Sequence, residues 1–484
     1  MFPGSFDVTM VLAILPEILL LCLAVFILII DLVLSERARG NLGWITAGGL
    51  ALIIGVSLFA SRPGPEPRLI WGGMLRQDWL GFFFLIMFLF AAAITALFSI
   101  GLPKIGNRGE FYFLMLVSTL GMMLMATSAD LIMLYLAIEM TAIPLYVLAG
   151  FLKQDDKSTE SGFKYFIFGS MTSAIMLYGF SLLYGFTGTT NIYALGLATQ
   201  TGQISVWVLL GTLLLVLVGF GFKISAVPLH FWAPDVYEGA PSQVAGFLST
   251  ASKAAGFAVL ARVLFATFPE IAPYWGAIIA AISVATMTLG NALALAQKNI
   301  KRLLAYSSIA HAGYAMIGIA AISQQGVSSM VFYLFVYIIT NLAAFGIVVA
   351  FGRIAGSDDI SAYAGLSRRS PWLALAILVA FLSLAGMPPF GGFVAKFVVF
   401  AAAVNANLVW LAIIGVLNAI VGLYYYLTVL KVVYLYRSED DEKPLPISRS
   451  YTFALAILVL GIILVGTVLA PWFGISNTAT AAIF

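Results

Sequence analysis

The sequence has 484 residues, of which 62% are hydrophobic and only 9% charged, and its formal net charge is +3. A soluble domain would carry about a quarter charged residues, so this composition excludes one and indicates a polytopic membrane protein. The single cysteine excludes an internal disulfide and a thiolate-bound iron–sulfur or zinc site, and two histidines are too few for a haem or copper centre without further ligands.

The apolar segments predict an all-α protein, because about 20 residues are needed for each helical crossing. The first segment, 10–34, is longer than the roughly 7–15 residues of a signal-peptide core and has no basic region before it. We therefore expect a retained first helix and about fourteen transmembrane helices in total. The predicted spans are 10–34, 42–60, 78–100, 109–127, 130–151, 162–187, 204–226, 243–267, 273–296, 302–321, 327–353, 371–400, 406–430 and 450–472.

The basic residues are distributed unevenly over the connections between these helices. Most of them fall in or beside odd-numbered connections. The exceptions are Arg62, Arg68, Arg76 and Arg262. By the positive-inside rule, the odd-numbered connections are predicted to face the cytoplasm, with both termini on the outer side.

Four basic residues belong to neither of these two groups, and all of them are lysines. They are Lys164, Lys223, Lys253 and Lys396. Lysine changes its protonation on burial more readily than arginine does. Lys253 lies about ten residues into its helix, hence roughly 15 Å deep, and Glu139 reaches a similar depth. Lys164 lies near a helix end, from which its side chain can extend to the interface.

Prolines interrupt two of the predicted helices close to these lysines. Three prolines follow Lys223, and a Pro-Pro and a Gly-Gly pair precede Lys396. The two breaks match in position if helices 4–8 and 9–13 are two five-helix repeats, and the second repeat is then inverted because five is odd. Pairs of broken helices in inverted repeats are typical of ion pathways. The predicted domains are helices 1–3, the two repeats and helix 14, at residues 1–108, 109–267, 273–436 and 450–484.

Glu139 is a candidate charge switch for Lys223. A carboxylate 4 Å from an ammonium supplies about 4 kcal/mol in a partly hydrated interior, and about half of that at 8 Å. A small movement would therefore charge or discharge the lysine. The alternative is a permanently protonated carboxyl whose only role is a hydrogen bond between two helices. For Lys223 the alternative is a loop position, for Lys253 a helix end that is placed wrongly, and for Lys396 a side chain that extends to the interface.

Other polar residues give weaker signals. His230, beside the first proline break, either caps a helix fragment or takes part in the pathway. His311 serves either helix packing or proton conduction. Asp235 and Glu238 lie either at the mouth of a cavity or in a solvated connection, and the second placement is favoured.

At these residues the sequence resembles the antiporter-like membrane subunits of respiratory complex I, a family shared with Mrp-type Na+/H+ antiporters and membrane-bound hydrogenases. A lysine at position 396, where M-type members carry glutamate, and the chain's end after a fourteenth helix are typical of the N type. The matching stretches are Ala137–Met140, Lys223 with Pro228–Asp235, Ser249–Lys253, Asn299–His311 and Gly386–Lys396.

The resemblance implies a non-redox, proton-translocating subunit of NADH-quinone oxidoreductase, driven by quinone reduction elsewhere in the complex. Two half-channels would be linked by buried lysines. Glu139 would modulate Lys223, and Lys253 would be the central relay. Lys396 would lie on the outlet side, and His230 would link the lysines.

The resemblance also places a pair formed by Glu160 and Lys164 near the cytoplasmic mouth of the channel. It implies no cofactor or metal in this chain; NADH, FMN, iron–sulfur clusters and quinone would belong to partner subunits. The expected partners are M-like and K-like membrane-arm subunits and lipids, not nucleic acid, in a bacterial inner membrane with both termini periplasmic. Two alternatives stay open: an Mrp-type Na+/H+ antiporter subunit, and a structural subunit whose buried charges only fix helix packing.

Overall fold

A computed structural model describes residues 8–202, 204–438 and 443–483. In these ranges, thirteen helical segments are long and apolar enough to cross a membrane. The remaining predicted span, 371–400, which is the twelfth in chain order, consists of two shorter apolar helices. Each of the fourteen predicted spans thus has a helical counterpart. The chain ends, whose side of the membrane the sequence predicts, lie outside the described residues.

Since a backbone in lipid must satisfy its own hydrogen bonds, the chain is built mainly of helices. They are α1 (Val8–Ala13), α2 (Leu15–Val33), α3 (Glu36–Arg39), α4 (Leu42–Ala60), α5 (Trp79–Ser99), α6 (Gly109–Thr127), α7 (Leu131–Ala149), α8 (Asp156–Thr187), α9 (Ile192–Thr199), α10 (Val206–Ile224), α11 (Trp232–Gly239), α12 (Ser242–Phe247), α13 (Lys253–Thr267), α14 (Ala272–Ala294), α15 (Ile300–Ala320), α16 (Gln324–Ala355), α17 (Leu366–Arg369), α18 (Pro371–Ala385), α19 (Gly391–Asn405), α20 (Val409–Leu435), α21 (Arg449–Thr467) and α22 (Leu469–Thr480). An antiparallel hairpin, β1 (Arg68–Ile70) with β2 (Leu75–Gln77), lies between α4 and α5.

Three spans form the centre of the bundle. In the segment 242–267, which contains α12 and α13, every residue of an 18-residue apolar stretch is buried, and the corresponding share is 94% in α15 and in α16. By contrast, only 28% of the corresponding stretch of α2 is buried, and this helix exposes apolar side chains, as expected for a helix that faces lipid. Polar groups on the central spans are therefore shielded from lipid by other helices.

Both predicted breaks are present. Helix α10 is followed by Ser225, whose φ of 57° is left-handed, and α18 is followed by Gly386, with a φ of 88°. Each end precedes a proline, which cannot donate the next helical hydrogen bond. The division into two inverted repeats stays a prediction.

Two local features differ from the predicted spans. Helix α8 begins at Asp156, six residues before the predicted start at 162, because the Asp155 side chain caps it by accepting from the Lys157 and Ser158 amides. Between α12 and α13, residues Leu248–Ser252 form a π-helical turn directly before Lys253. Such turns are frequent at functional sites.

Candidate functional site

The three lysines that the sequence places deep in the membrane all lie inside the bundle. Lys223 is on α10, Lys253 begins α13 and Lys396 is on α19, with exposed fractions of 7%, 2% and 6%. A buried ammonium needs hydrogen-bond acceptors or a counter-charge. The three lysines meet this need in different ways.

Lys223 lies beside the carboxyl of Glu139, close enough for their charges to interact. Glu139, on α7, is half-buried and accepts a hydrogen bond from the Ser173 hydroxyl on α8. The Lys223 Nζ has no protein hydrogen-bond partner in the described part of the chain. The three side chains line one cavity of about 20 Å³, a size that holds about one water molecule.

Lys253 is held by backbone. Its Nζ donates to the carbonyl oxygen of Ser308 on α15, at 3.0 Å, and lies 6.0 Å from the centroid of the Tyr237 ring. No carboxylate pairs with it among the residues that the structure describes. Lys253 therefore has a neutral acceptor in place of a counter-charge.

Lys396 is held by the end of a helix. Its Nζ donates to the carbonyl oxygens of Leu384 and Ala385, both at 2.9 Å, and lies 4.9 Å from the centroid of the Tyr314 ring. The last carbonyls of a helix have no helical partner and carry partial negative charge. The second break thus supplies acceptors for a buried ammonium.

His311 lies close enough to both Lys253 and Lys396 for charge interaction with each. Its Nδ1 is 2.6 Å from the Tyr333 hydroxyl, and its Nε2 is 3.3 Å from the Tyr426 hydroxyl. Both ring nitrogens therefore have hydroxyl partners. The structure places this histidine in the row of lysines, which the sequence alone leaves undecided.

His230 lies in the first break, between α10 and α11, and is half-buried. It is close enough to Lys253 for charge interaction. Its Nδ1 is buried and has no hydrogen-bond partner within the described residues. The charge interactions therefore connect Glu139 to Lys223, and separately connect His230, Lys253, His311 and Lys396 to one another in that order.

A second group of charges lies where α8, α11 and α15 meet. The Lys164 Nζ is 2.7 Å from Glu160 Oε1 and 2.7 Å from Asp235 Oδ2. The Arg302 Nη1 is 2.8 Å from Asp235 Oδ1 and 2.9 Å from Glu238 Oε2. These side chains line a cavity of about 200 Å³. The expectation that Asp235 and Glu238 only occupy a solvated connection is wrong, because paired cations hold them at the cavity.

The ion pairs keep this cluster charged. Partial burial alone would raise the pKa of Asp235, but hydrogen bonds from Lys164 and Arg302 outweigh burial and hold that pKa below its ordinary value. For Glu238, burial is likewise outweighed by hydrogen bonds from Arg302 and Lys157, which lower its pKa. Both carboxyls are therefore ionised near neutral pH.

Sequence reasoning missed the partners of the buried groups. Tyr333 and Tyr426, which contact His311, lie in long apolar helices where tyrosines usually serve packing. The acceptors of Lys253 and Lys396 are backbone carbonyls, which no side-chain motif marks. The one available signal was the break before Lys396, since a broken helix must leave carbonyls without partners.

Comparison with known proteins adds a family likeness. A family model described as NADH:quinone oxidoreductase/Mrp antiporter, TM, matches residues 128–422. The NADH-quinone oxidoreductase subunit N of Moorella thermoacetica is 44% identical over 457 residues, which cover 94% of this chain and 95% of that protein. The subunit N of Trichlorobacter lovleyi is 41% identical over 466 residues, with 94% of each chain covered.

Chains in solved structures also match this chain over most of its length. A chain in respiratory complex I from Thermus thermophilus, with bound aureothin, matches with a TM-score of 0.80 and 33% identity, over 95% of this chain and 98% of that one. A chain of the Mrp complex from Dietzia sp. DQ12-45-1b matches with a TM-score of 0.87 and 20% identity, over 99% of this chain and 98% of that one. The second likeness is one of fold alone.

Proposed function

Because this chain belongs to the NADH:quinone oxidoreductase/Mrp antiporter family of membrane subunits, we propose that it translocates protons as a membrane-arm subunit of a bacterial NADH-quinone oxidoreductase. The observation that carries this proposal is the buried row of Lys223, Lys253 and Lys396. A fixed structural role would favour ion pairs with carboxylates, whereas Lys253 and Lys396 bind backbone carbonyls. Lysines with neutral acceptors suit reversible proton exchange.

The proton would pass along the row by exchange between neighbouring groups. Glu139 sets the charge state of Lys223, and a protonated Lys223 passes its proton through His230 or water to Lys253. His311 then takes up a proton at one ring nitrogen and releases another from the opposite nitrogen, because a neutral imidazole has one donor and one acceptor. Lys396 receives it and forms the outlet side.

The charged cluster at α8, α11 and α15 would be the mouth through which protons enter. Glu160 and Lys164, with Asp235 and Arg302, present ionised groups around a cavity wide enough for water. The positive-inside rule places this mouth on the cytoplasmic side, with both termini periplasmic. The two half-channels would correspond to the two inverted repeats.

The chain itself would carry no redox group. NADH, FMN, iron–sulfur clusters and quinone would be bound by partner subunits, and M-like and K-like subunits would be its neighbours in the membrane arm, together with lipids. Quinone reduction there would drive proton movement here. A Na+/H+ exchange role is the second candidate, supported by the shared family and by the fold likeness to the Mrp complex.

Purification of a tagged chain and transport by the resulting complex test the proposal. We expect co-purifying subunits that oxidise NADH, and proton uptake into inside-out vesicles that starts on addition of NADH and quinone without sodium. Sodium-dependent proton exchange without NADH or quinone would instead support the antiporter role. Undiminished uptake after neutralisation of all three buried lysines would support a structural role.

A further inference from the structure

A buried ion pair joins α5 to α13 at the end of the bundle opposite the charged mouth. The opposite placement follows from the alternating direction of successive helices. Arg262 donates from Nη1 to Asp78 Oδ2 at 2.7 Å and from Nη2 to Asp78 Oδ1 at 2.9 Å. The guanidinium also donates to the Tyr193 hydroxyl and to the Ala126 carbonyl. Both partners are almost fully buried, at 2% and 4% exposed. The sequence had placed Arg262 with the residues of an outer connection, whereas the structure makes it part of the core.

A second arginine shares the same carboxylate. The Nε of Arg76, on β2, is 3.2 Å from Asp78 Oδ2, and its Nη2 donates to the Ala482 carbonyl at 2.8 Å. The guanidinium also stacks over the Tyr193 ring, 4.3 Å from its centroid. Asp78 alone therefore faces two fixed positive charges, and the cluster keeps an excess of one positive charge.

Glu17 lies beside this cluster. It is in the first turn of α2, is 7% exposed, and its Oε2 has no hydrogen-bond partner within the described part of the chain. The hydroxyl of Ser61, which is 5% exposed, also has no hydrogen-bond partner among the described residues. Both side chains line a cavity of about 30 Å³ together with Arg76 and Asp78. That volume holds one or two water molecules.

We propose that Glu17 exchanges protons with water in this cavity. Among the described residues that line the cavity, it is the one group that can do so. Both oxygens of Asp78 accept from guanidinium groups, and arginine does not deprotonate in proteins. Ionised Glu17 would balance the excess positive charge of Arg76, Arg262 and Asp78, and a proton on Glu17 would restore that excess. The cluster would thus alternate between neutral and singly positive.

Helix α13 connects the cluster to the row of buried lysines. A role for Glu17 in proton release, inferred from this connection, rests on the proposed function. Helix α13 carries Lys253 at its start and Arg262 nine residues later, which is about 13.5 Å along the axis. Glu17 would then be a group on the release side that receives protons from the row. It lies at the end of the bundle that the positive-inside rule places outside.

Infrared difference spectra of the purified whole complex, recorded between two pH values, test the exchange directly. Wild type should show a protonated-carboxyl band that changes with pH. That band should be lost in Glu17→Gln and kept in Glu66→Gln, a matched change at an exposed residue that does not line the cavity. If Glu17→Gln fails to assemble, Glu17→Asp decides, and the band should then be present but shifted.

Two outcomes would overturn the inference: an unchanged carboxyl band in Glu17→Gln, or an unshifted band in Glu17→Asp. Proton release per quinone reduced then tests the link to the row. If Lys253→Ala lowers this ratio and Glu17→Gln does not, the release role fails while the proposed function stands. If Lys253→Ala leaves the ratio unchanged, the proposed function itself fails, and the infrared result still decides whether Glu17 exchanges protons.

Discussion

The Nζ of Lys396 lies 2.9 Å from the carbonyl oxygen of Ala385, the last residue of α18. The Leu384 carbonyl is a second acceptor at the same distance. In an unbroken helix these oxygens would accept from amides four residues on. The break therefore turns backbone groups into a binding site for an ammonium, with the negative end of the helix dipole directed at it.

Gly386 controls this contact. It has a φ of 88°, and a Cβ there would lie 2.8 Å from the Lys396 Cδ. Gly386→Ala should displace the lysine from its carbonyls and lower proton uptake per assembled complex, without removing a charge. The control is Gly356→Ala, which has a similar φ of 64° but no atom within 4 Å of a Cβ. Both alanine variants would carry about 1–2 kcal/mol of backbone strain. Equal losses of proton uptake in the two variants would therefore mean that strain alone is responsible.

Glu139→Gln tests the charge switch. The amide keeps the size of the side chain and a hydrogen bond with Ser173 but removes the negative charge beside Lys223. We expect normal assembly, with proton uptake and coupled quinone reduction falling together by about tenfold if the carboxylate lowers the barrier by about 1.4 kcal/mol. Glu139→Asp should retain part of both activities. A glutamine variant with wild-type rates would make the carboxyl a packing group only.

Asp235→Asn should weaken the charged mouth in a pH-dependent way. The pKa of Asp235 is lowered in the folded chain, so its ion pairs stabilise the fold above the ordinary carboxyl value of about 4. That contribution is lost only as pH falls through the lowered pKa. Thermal unfolding of wild type and variant should differ near neutral pH, by about 1 kcal/mol or less because the site is partly exposed, and converge in acid. A difference confined to acid pH would contradict this sign.

Orientation can be measured with two exposed glutamines. Gln154 lies between α7 and α8, and Gln200 follows α9, so the positive-inside rule places them on opposite sides. In a Cys22→Ser background, an impermeant thiol reagent should label Gln200→Cys on intact cells and should label Gln154→Cys only after the cells are broken. The reverse pattern would invert the proposed topology.

Most of the helices could be predicted from the sequence, because a segment that crosses lipid must be both apolar and helical. Each predicted span has a helical counterpart, since a crossing needs about 20 apolar residues whatever its neighbours are. The breaks near Lys223 and Lys396 were likewise predictable from proline chemistry.

Contacts between residues that are far apart in the sequence could not be predicted. Asp78 and Arg262 are 184 positions apart, and nothing local marks them as partners. Arg262 looks like an interfacial charge near a helix end, and nothing in the sequence around Glu17 marks it as a neighbour of Arg76 and Asp78. His311 could not be placed between Lys253 and Lys396, because that depends on how α13, α15 and α19 pack.

Proton uptake by Lys253→Arg tests the central claim most directly. Arginine keeps the positive charge at the middle of the row but stays protonated and cannot pass a proton on. Uptake into inside-out vesicles, normalised to assembled complex, should fall by at least about tenfold, as expected when a proton-transfer group is lost. Lys253→Ala should be impaired similarly, and Lys164→Arg, at the partly exposed mouth, should be milder. Wild-type uptake with Lys253→Arg would contradict the account, because the position would then supply a fixed charge and not a proton relay.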